Sequence, residues 1–194
     1  MPAIRTTLTT MAMRTPTARR LRNRPLWLAL LVVAAACLPI DAAAQHTYVP
    51  SGGYVADSAT ALRVAEAVLA RDEAHDSADA PLRATLVDGV WSITSSSAPC
   101  DVLARIAQAD GRVLDEAPAD GFVPDAETAV RIAEAVLVPV YGQAQIDRQG
   151  PLTATEHDGV WTVTGRLPPG RAGGVALVRI ARRDGTILRM IHGR

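Results

Sequence analysis

Two stretches of the chain share one spacing of apolar residues. Between residues 53 and 69, apolar side chains recur at intervals of three and four, and the pattern returns between residues 121 and 137. This spacing predicts two amphipathic helices, each with one buried face. Asp57 and Asp125 stand where a carboxylate accepts hydrogen bonds from the first free backbone N–H groups, so both are predicted N-caps. The predicted buried positions are Ala61, Val64, Ala65, Val68 and Leu69 in the first helix and Ala129, Ile132, Ala133, Val136 and Leu137 in the second.

After each helix the period changes from about 3.6 to two. Trp91 and Ile93 alternate with polar neighbours, and Trp161 and Val163 do the same. This alternation predicts strands with one covered face and one wetter face. Each helix is followed by two Asp-Gly pairs between short β-prone runs, which is a strong hairpin signal. We therefore predict two β-hairpins, and so four antiparallel strands, after each helix. The pairs begin at Asp88, Asp110, Asp158 and Asp184.

The two halves are also similar residue by residue. Identical residues occupy 11 of 17 positions between residues 53–69 and 121–137, and 9 of 14 between residues 81–94 and 151–164. A third block, residues 105–114, is similar to residues 179–188. We predict an α+β fold made by tandem duplication of a helix followed by a four-stranded antiparallel sheet. The first repeat is assigned to residues 52–118 and the second to residues 119–194.

The N-terminus has the layout of a secretory signal. Five arginines between residues 14 and 24 precede an apolar run from Leu26 to Leu38, and small residues end at Ala44. The run is 13 residues long, and spanning a bilayer takes about 20. We predict a signal peptide over residues 1–44, cleaved near Ala44, a linker over residues 45–51, and a periplasmic or secreted product. Lipid attachment at Cys37 is the less favoured alternative.

The chain carries few candidates for catalytic chemistry. Its four histidines are not spaced as metal ligands, and no nucleophile with a partner base follows a known motif. We predict no enzyme activity, no metal site and no cofactor. Cys100 is the only cysteine after residue 44, so an intramolecular disulfide is excluded, and we expect this thiol to be buried.

Charge divides the two halves. From residue 45 onward there are 14 arginines, no lysine and 19 acidic residues, for a net charge of −5. Residues 45–121 carry −7 and residues 122–194 carry +2. The arginines of the final two predicted strands could form a docking face for an acidic partner. Alternatively, they could complement the negative charge of the first half within the same chain. A net-acidic exported chain is not expected to bind nucleic acid. After cleavage of the signal peptide, no membrane association is expected.

The second copy carries a set of short motifs: Pro139 and Tyr141-Gly142 at the helix end, the Asp158-Gly159 turn with Trp161, the loop from Leu167 to Gly174, and His192-Gly193. With these motifs the second copy resembles a bacterial immunity-protein family assigned the nuclear transport factor 2 fold. The resemblance implies a cystatin-like roll and protection of a cell from a protein toxin. The first copy lacks the loop and the Tyr-Gly pair. The order of helix and hairpins is equally similar to PepSY-type modules.

These observations predict an exported, non-catalytic immunity-like protein that binds and neutralises a protein toxin in the cell envelope. The alternative is a periplasmic ligand-binding or protease-inhibitor-like module of PepSY type with no toxin partner. For the loop, a Pro- and Gly-rich hairpin connection is the competing interpretation. The predicted partner-binding residues are Arg179, Arg182, Arg189, Leu167, Pro168, Gly170, Gly173 and Gly174.

Overall fold

Two helix-and-sheet units make up the part of the chain that the structure, a computed structural model, describes. The described residues are 47–70, 80–167, 169–170 and 173–192. All of them belong to one compact body spanning residues 42–194. The predicted signal peptide and its alternative lipid site at Cys37 lie outside them.

The first unit, residues 53–115, is called the N-unit, and the second, residues 121–192, the C-unit. Each has one antiparallel sheet whose strands follow chain order. The N-unit contains α1 (Ser58–Leu69), β1 (Leu82–Val87), β2 (Val90–Ser95) and β3 (Val102–Ala107). The C-unit contains α2 (Ala126–Tyr141), α3 (Gln143–Asp147), β4 (Thr153–His157), β5 (Val160–Thr164), β6 (Ala176–Ala181) and β7 (Ile187–His192). The α+β class is therefore confirmed.

Both long helices begin and pack as predicted. The Asp57 and Asp125 carboxylates accept hydrogen bonds from the backbone N–H groups of Thr60 and Thr128, each at 2.8 Å. The predicted faces are buried, with only Leu69 partly exposed. Each helix also buries a threonine, at positions 60 and 128, and an alanine, at positions 67 and 135. The two long helices pack against each other as well as against the sheets.

The four Asp-Gly pairs form two kinds of turn. Asp88-Gly89 and Asp158-Gly159 are two-residue hairpin turns in which both residues have positive φ, from 49° to 76°. That geometry matches the twist of the flanking strands. Gly185 alone has positive φ in its pair, and Ala181 N–H donates to the carbonyl of Thr186 at 2.9 Å. The loop that contains Gly185 therefore has four residues. The loop that contains Gly111 is closed by the equivalent hydrogen bond, from Ala107 N–H to the carbonyl of Arg112.

The prediction of four strands in the first repeat is wrong. Within residues 53–70 and 80–115, the N-unit sheet has three strands, and beyond them Val113 forms only an isolated bridge with Ile106. The Asp115 carboxylate accepts the hydrogen bond of Arg105 N–H at 2.8 Å, in the place where a carbonyl of a fourth strand would accept it. The residues after Leu114, Asp-Glu-Ala-Pro, do not favour a strand, and the chain continues to α2.

Matched contacts recur in the two units at the sequence offsets of the repeats. Trp91 Nε1 donates to the carbonyl of Val55 at 2.8 Å, and Trp161 Nε1 donates to that of Val123 at 2.7 Å. Gly121 passes so close to the carbonyl of Arg182 that an added Cβ would lie 2.4 Å from it, and Gly53 does the same at Gln108. Both units therefore position helix and sheet by the same contacts.

The units are joined by reciprocal contacts. Val113 N–H donates to the carbonyl of Asp184 at 2.8 Å, and Ile187 N–H donates to the carbonyl of Asp110 at 2.7 Å. Because 113 and 187 are matched positions, as are 110 and 184, this is a two-fold arrangement within one chain. The cores are shared as well: Val68 and Val113 pack into the C-unit core, and Ala135 of α2 packs into the N-unit core.

The expectation that Cys100 is buried is wrong. The residue is exposed, since it lies in the loop between β2 and β3. Val102, at the start of β3, is 52% exposed and lies beside a register shift between β2 and β3. Among the described residues, no helix combines the length and apolarity needed to cross a membrane.

Candidate partner-binding face

Two of the three predicted arginines are direct neighbours on the C-unit sheet. In β6, Val178 and Ile180 point into the core, so Arg179 between them points outward and is exposed. Arg179 pairs with Arg189 of β7 on one side and with Thr162 of β5 on the other. These residues form a row across the outward face of the sheet.

Arg182 lies apart from this row, in the loop between β6 and β7. Its backbone N–H donates to the carbonyl of Gly159 at 2.8 Å, and its own carbonyl accepts from Val123 N–H at 3.0 Å. The side chain is partly buried, and its Nε has no hydrogen-bond partner within the described part of the chain. The structure therefore groups Arg179 with Arg189 and gives Arg182 a separate environment.

The predicted loop connects β5 to β6. Its base is closed by a 3.0 Å hydrogen bond from Gly165 N–H to the carbonyl of Ala176. Leu167 and Gly174 are half-buried, whereas Gly170 and Gly173 are exposed, with φ of 76° and 149°. Such angles favour glycine. Pro168 lies outside the described residues.

Gln149 joins both ends of this loop. It is 2% exposed, and its backbone carbonyl accepts a hydrogen bond from Arg166 N–H at 2.8 Å. Its side-chain Oε1 accepts from Ala176 N–H at 2.7 Å. A Cβ on Gly165 would lie 2.6 Å from that oxygen, so only glycine fits beside it. Gln149 therefore holds the start of the loop, at Arg166, and its end, at Ala176.

The same glutamine contacts the C-terminal histidine. Gln149 Nε2 lies 3.0 Å from His192 Nε2. Because Gln149 Oε1 already accepts from a backbone N–H, its amide nitrogen must be the donor. The hydrogen-bond network thus assigns His192 Nε2 as an acceptor, with the ring hydrogen on Nδ1.

Two tyrosines extend this cluster. The Tyr141 ring lies 4.8 Å from the His192 ring and 6.3 Å from the Tyr48 ring, measured between centroids. Burial, with smaller contributions from the nearby Tyr48 and Tyr54 hydroxyls, raises the pKa of Tyr141 above its usual 10.0. Residue 48, in the predicted linker, also donates its backbone N–H to the carbonyl of Met190 at 3.0 Å.

Gln149 is the residue that the sequence analysis missed. It lies outside every periodic segment, and a glutamine before Gly-Pro carries the signal of a turn rather than of a buried polar group. Tyr141 and His192 belonged to the quoted family motifs, but nothing in their spacing placed them together. Only the fold brings residues 141, 149 and 192 into contact.

A groove of about 340 Å³ lies between the two long helices. Its charged lining includes the exposed Arg63, Glu66 and Glu134. Arg131, also at this groove, forms an ion pair with Glu127, four residues earlier in α2. In the described ranges, no three His, Cys, Asp or Glu side chains are grouped so that they could hold a metal ion.

Comparison with curated proteins and with solved structures gives no match. Residues 128–194 match the model of a family described as NTF2 fold immunity protein. The match begins in α2 and runs to the C-terminus, so it covers most of the C-unit and none of the N-unit. Two antiparallel sheets with helices are consistent with that fold. The resemblance predicted from the sequence is thus confirmed over residues 128–194, where the chain matches the NTF2 fold immunity proteins.

Proposed function

We propose that this protein is an exported, non-catalytic immunity protein that binds and neutralises a protein toxin acting in the cell envelope. The observation that carries the proposal is the family match over residues 128–194. Neutralisation by binding needs a complementary surface held on a rigid scaffold, and a hydrogen-bonded sheet supplies one. The C-unit offers such a surface in Arg179 and Arg189 and in the loop anchored by Gln149.

The N-unit acts, in this proposal, as a scaffold derived from the same ancestral segment. The matched tryptophan hydrogen bonds, helix caps and turns support an origin by duplication. The sequence of the N-unit has no counterpart of the loop from Leu167 to Gly174. The family match does not cover the N-unit. We therefore propose that the C-unit alone binds the toxin.

The test is rescue from toxicity. A candidate toxin encoded beside this gene is expressed in the periplasm with the wild-type protein, and survival is measured. Protection and a stable complex are expected with the wild type. Absence of both would refute the proposal. Changing Arg179, Arg182 and Arg189 to Glu should abolish protection. The matched control changes the exposed Arg63, Arg83 and Arg112 of the N-unit to Glu and should protect fully.

Export is proposed from the basic patch, the apolar run and the small residues before Gln45. Mass spectrometry of the protein recovered from the periplasm should find Gln45 at the N-terminus. A variant lacking residues 1–44 should stay in the cytoplasm and fail to protect against a periplasmic toxin. An intact leader on the recovered protein would contradict cleavage near Ala44.

A further inference from the structure

The outer edge of β1 is open, whereas the edges of β3 and β7 have partners within the chain. Residue 48 lies beside β7, and its backbone N–H donates to the carbonyl of Met190 at 3.0 Å. Asp115 lies beside β3 and accepts the backbone N–H of Arg105 at 2.8 Å. In the described part of the chain, no hydrogen bond joins the outer edge of β1 to another segment. The N-unit sheet therefore ends in a strand that can pair further.

The hydrogen-bond pattern shows which backbone groups of β1 point away from the sheet. Ser96 N–H donates to the carbonyl of Pro81 at 3.0 Å, so residue 81 and every second residue after it face β2. In an antiparallel strand, the residues between them turn their backbone groups to the other side. These residues are Leu82, Ala84 and Leu86. Each offers one N–H donor and one carbonyl acceptor to a further strand.

The matched edge of the C-unit is polar where the edge of β1 is apolar. Residues 86–87 of β1 are Leu-Val, and the matched residues 156–157 of β4 are Glu-His. Leu86 and Val87 are 40% and 59% exposed. Glu156 bends back onto its turn, where its Oε1 accepts from Gly159 N–H at 2.6 Å. Charged residues protect an open edge from pairing with another chain, and exposed apolar residues do not. Of these two edges, β1 is therefore the one suited to pairing.

We propose that β1 pairs antiparallel with β1 of a second copy of this chain, so that two N-unit sheets join across a two-fold axis. The sequence of β1 is self-complementary when Ala84 lies on the axis. Leu86 then lies opposite the partner's Leu82, and each copy contributes one such pair. Residues 82, 84 and 86, whose backbone groups point outward, form the hydrogen-bonded pairs of this register.

Charge and burial favour a second copy as the occupant. Arg83 is the only charged residue in the sequence of β1, and it lies opposite the partner's Thr85 in this register. Like charges, which destabilise a sheet when directly opposite, are therefore kept apart. Leu86 pairs with the buried Trp91 of β2 and so shares its face of the sheet, yet it stays exposed in the single chain. The leucine pair across the axis covers it.

Sedimentation velocity of the full chain recovered from cells tests the dimer. The wild type should shift from monomer to dimer as its concentration rises. Leu86→Glu installs the residue of the C-unit edge and should weaken dimerisation about 10-fold or more, because each dimer loses two leucine pairs. Val102→Glu, at a 52% exposed position of β3 in the same sheet, is the control and should leave dimerisation unchanged.

Disulfide trapping tests the register. Residue 84 faces its own copy across the axis, and the Cα atoms of a hydrogen-bonded antiparallel pair are about 5.5 Å apart, which a disulfide can span. In a Cys37→Ser, Cys100→Ser background, Ala84→Cys should give a covalent dimer under mild oxidation. Ala154→Cys, at the matched position of β4, should remain monomeric. Circular dichroism confirms that each variant is folded.

A wild type that stays monomeric at every concentration overturns the inference, and so does a dimer that Leu86→Glu leaves intact. Equal cross-linking of Ala84→Cys and Ala154→Cys would show that the copies meet through another surface, and it overturns the inference as well. None of these results bears on toxin neutralisation, because the proposed toxin-binding residues lie in the C-unit.

Discussion

At the scale of single residues, the two buried tryptophans test whether the units are built alike. Each Nε1 donates to a backbone carbonyl before the helix of its own unit, Val55 for Trp91 and Val123 for Trp161. Trp91→Phe and Trp161→Phe remove that donor and leave a buried carbonyl unsatisfied. Each should lower the free energy of unfolding by about 1–3 kcal/mol. Urea denaturation of both variants measures it, and a loss at one position alone would contradict their equivalence.

A second prediction at the scale of single residues concerns Tyr141 and the pH dependence of stability. Its pKa in the folded protein is raised by burial first and by Tyr48 and Tyr54 second. The unfolded chain therefore loses this proton at lower pH than the folded protein does. The stabilising contribution is full below pH 10 and is lost as pH rises through the raised pKa.

The measurement is urea denaturation of the wild type and Tyr141→Phe at pH 8 and pH 11. The variant keeps the ring against His192 but cannot ionise. It should lose less stability between the two pH values than the wild type does. Equal losses would show that Tyr141 does not contribute to alkaline destabilisation. Tyr48→Phe removes only one of the smaller contributions to the raised pKa of Tyr141, so it should lose nearly as much stability over this pH range as the wild type.

At the scale of elements, a carboxylate replaces a strand in the N-unit. Asp115 accepts hydrogen bonds from the backbone and side chain of Arg105 and so closes the edge of β3. Asp115→Ala should lower the free energy of unfolding by about 1 kcal/mol, more than an exposed ion pair alone, because a backbone N–H also loses its partner. Glu116→Ala, at the exposed neighbouring position, is the control and should change stability little. Equal effects of the two variants would contradict this account.

The elements that the sequence predicted well are those with local causes. The helix caps at Asp57 and Asp125 and the two-residue turns at Asp88 and Asp158 follow from side-chain and glycine chemistry within a few residues. The fourth strand of the first repeat was predicted from the similarity of residues 112–114 to residues 186–188. The next residues differ, because Asp-Glu-Ala-Pro follows Leu114 and Arg-Met-Ile-His follows Leu188, and the first of these segments does not favour a strand.

Part of the candidate site could likewise be predicted from local sequence patterns, and part could not. Arg179 could be placed on the outward face from strand alternation alone, and it lies there. Its pairing with Arg189 needs the hairpin register, which a one-residue shift beside Ile180 alters. Gln149 was beyond sequence reasoning, because its contacts with Ala176 and His192 join segments 27 and 43 residues away. Local patterns predict elements and leave such long-range contacts open.

At the scale of the whole molecule, the two units behave as one folding body because their cores are shared. The reciprocal hydrogen bonds at Val113 and Ile187 and the contact of α1 with α2 join them across an internal two-fold. Neither the N-unit nor the C-unit buries its helix without the other, since Ala67 lies in the C-unit core and Ala135 in the N-unit core. The proposed binding face on the C-unit is therefore stabilised by residues that the family match does not cover.

This sharing predicts that damage to the N-unit core weakens the C-unit by the same amount. Ile106 is fully buried in β3, and Ile106→Val should cost about 0.5–1.5 kcal/mol. Amide hydrogen exchange reports the free energy of opening at each residue. The slowest amides of β2 and of β6 should lose protection equally, because both open only in global unfolding. Val102→Ala, at a 52% exposed position of the same strand, is the control and should leave both unchanged. If β2 loses protection in Ile106→Val while Val178 and Ile180 keep theirs, the units unfold separately, and the N-unit is not a scaffold for the binding face.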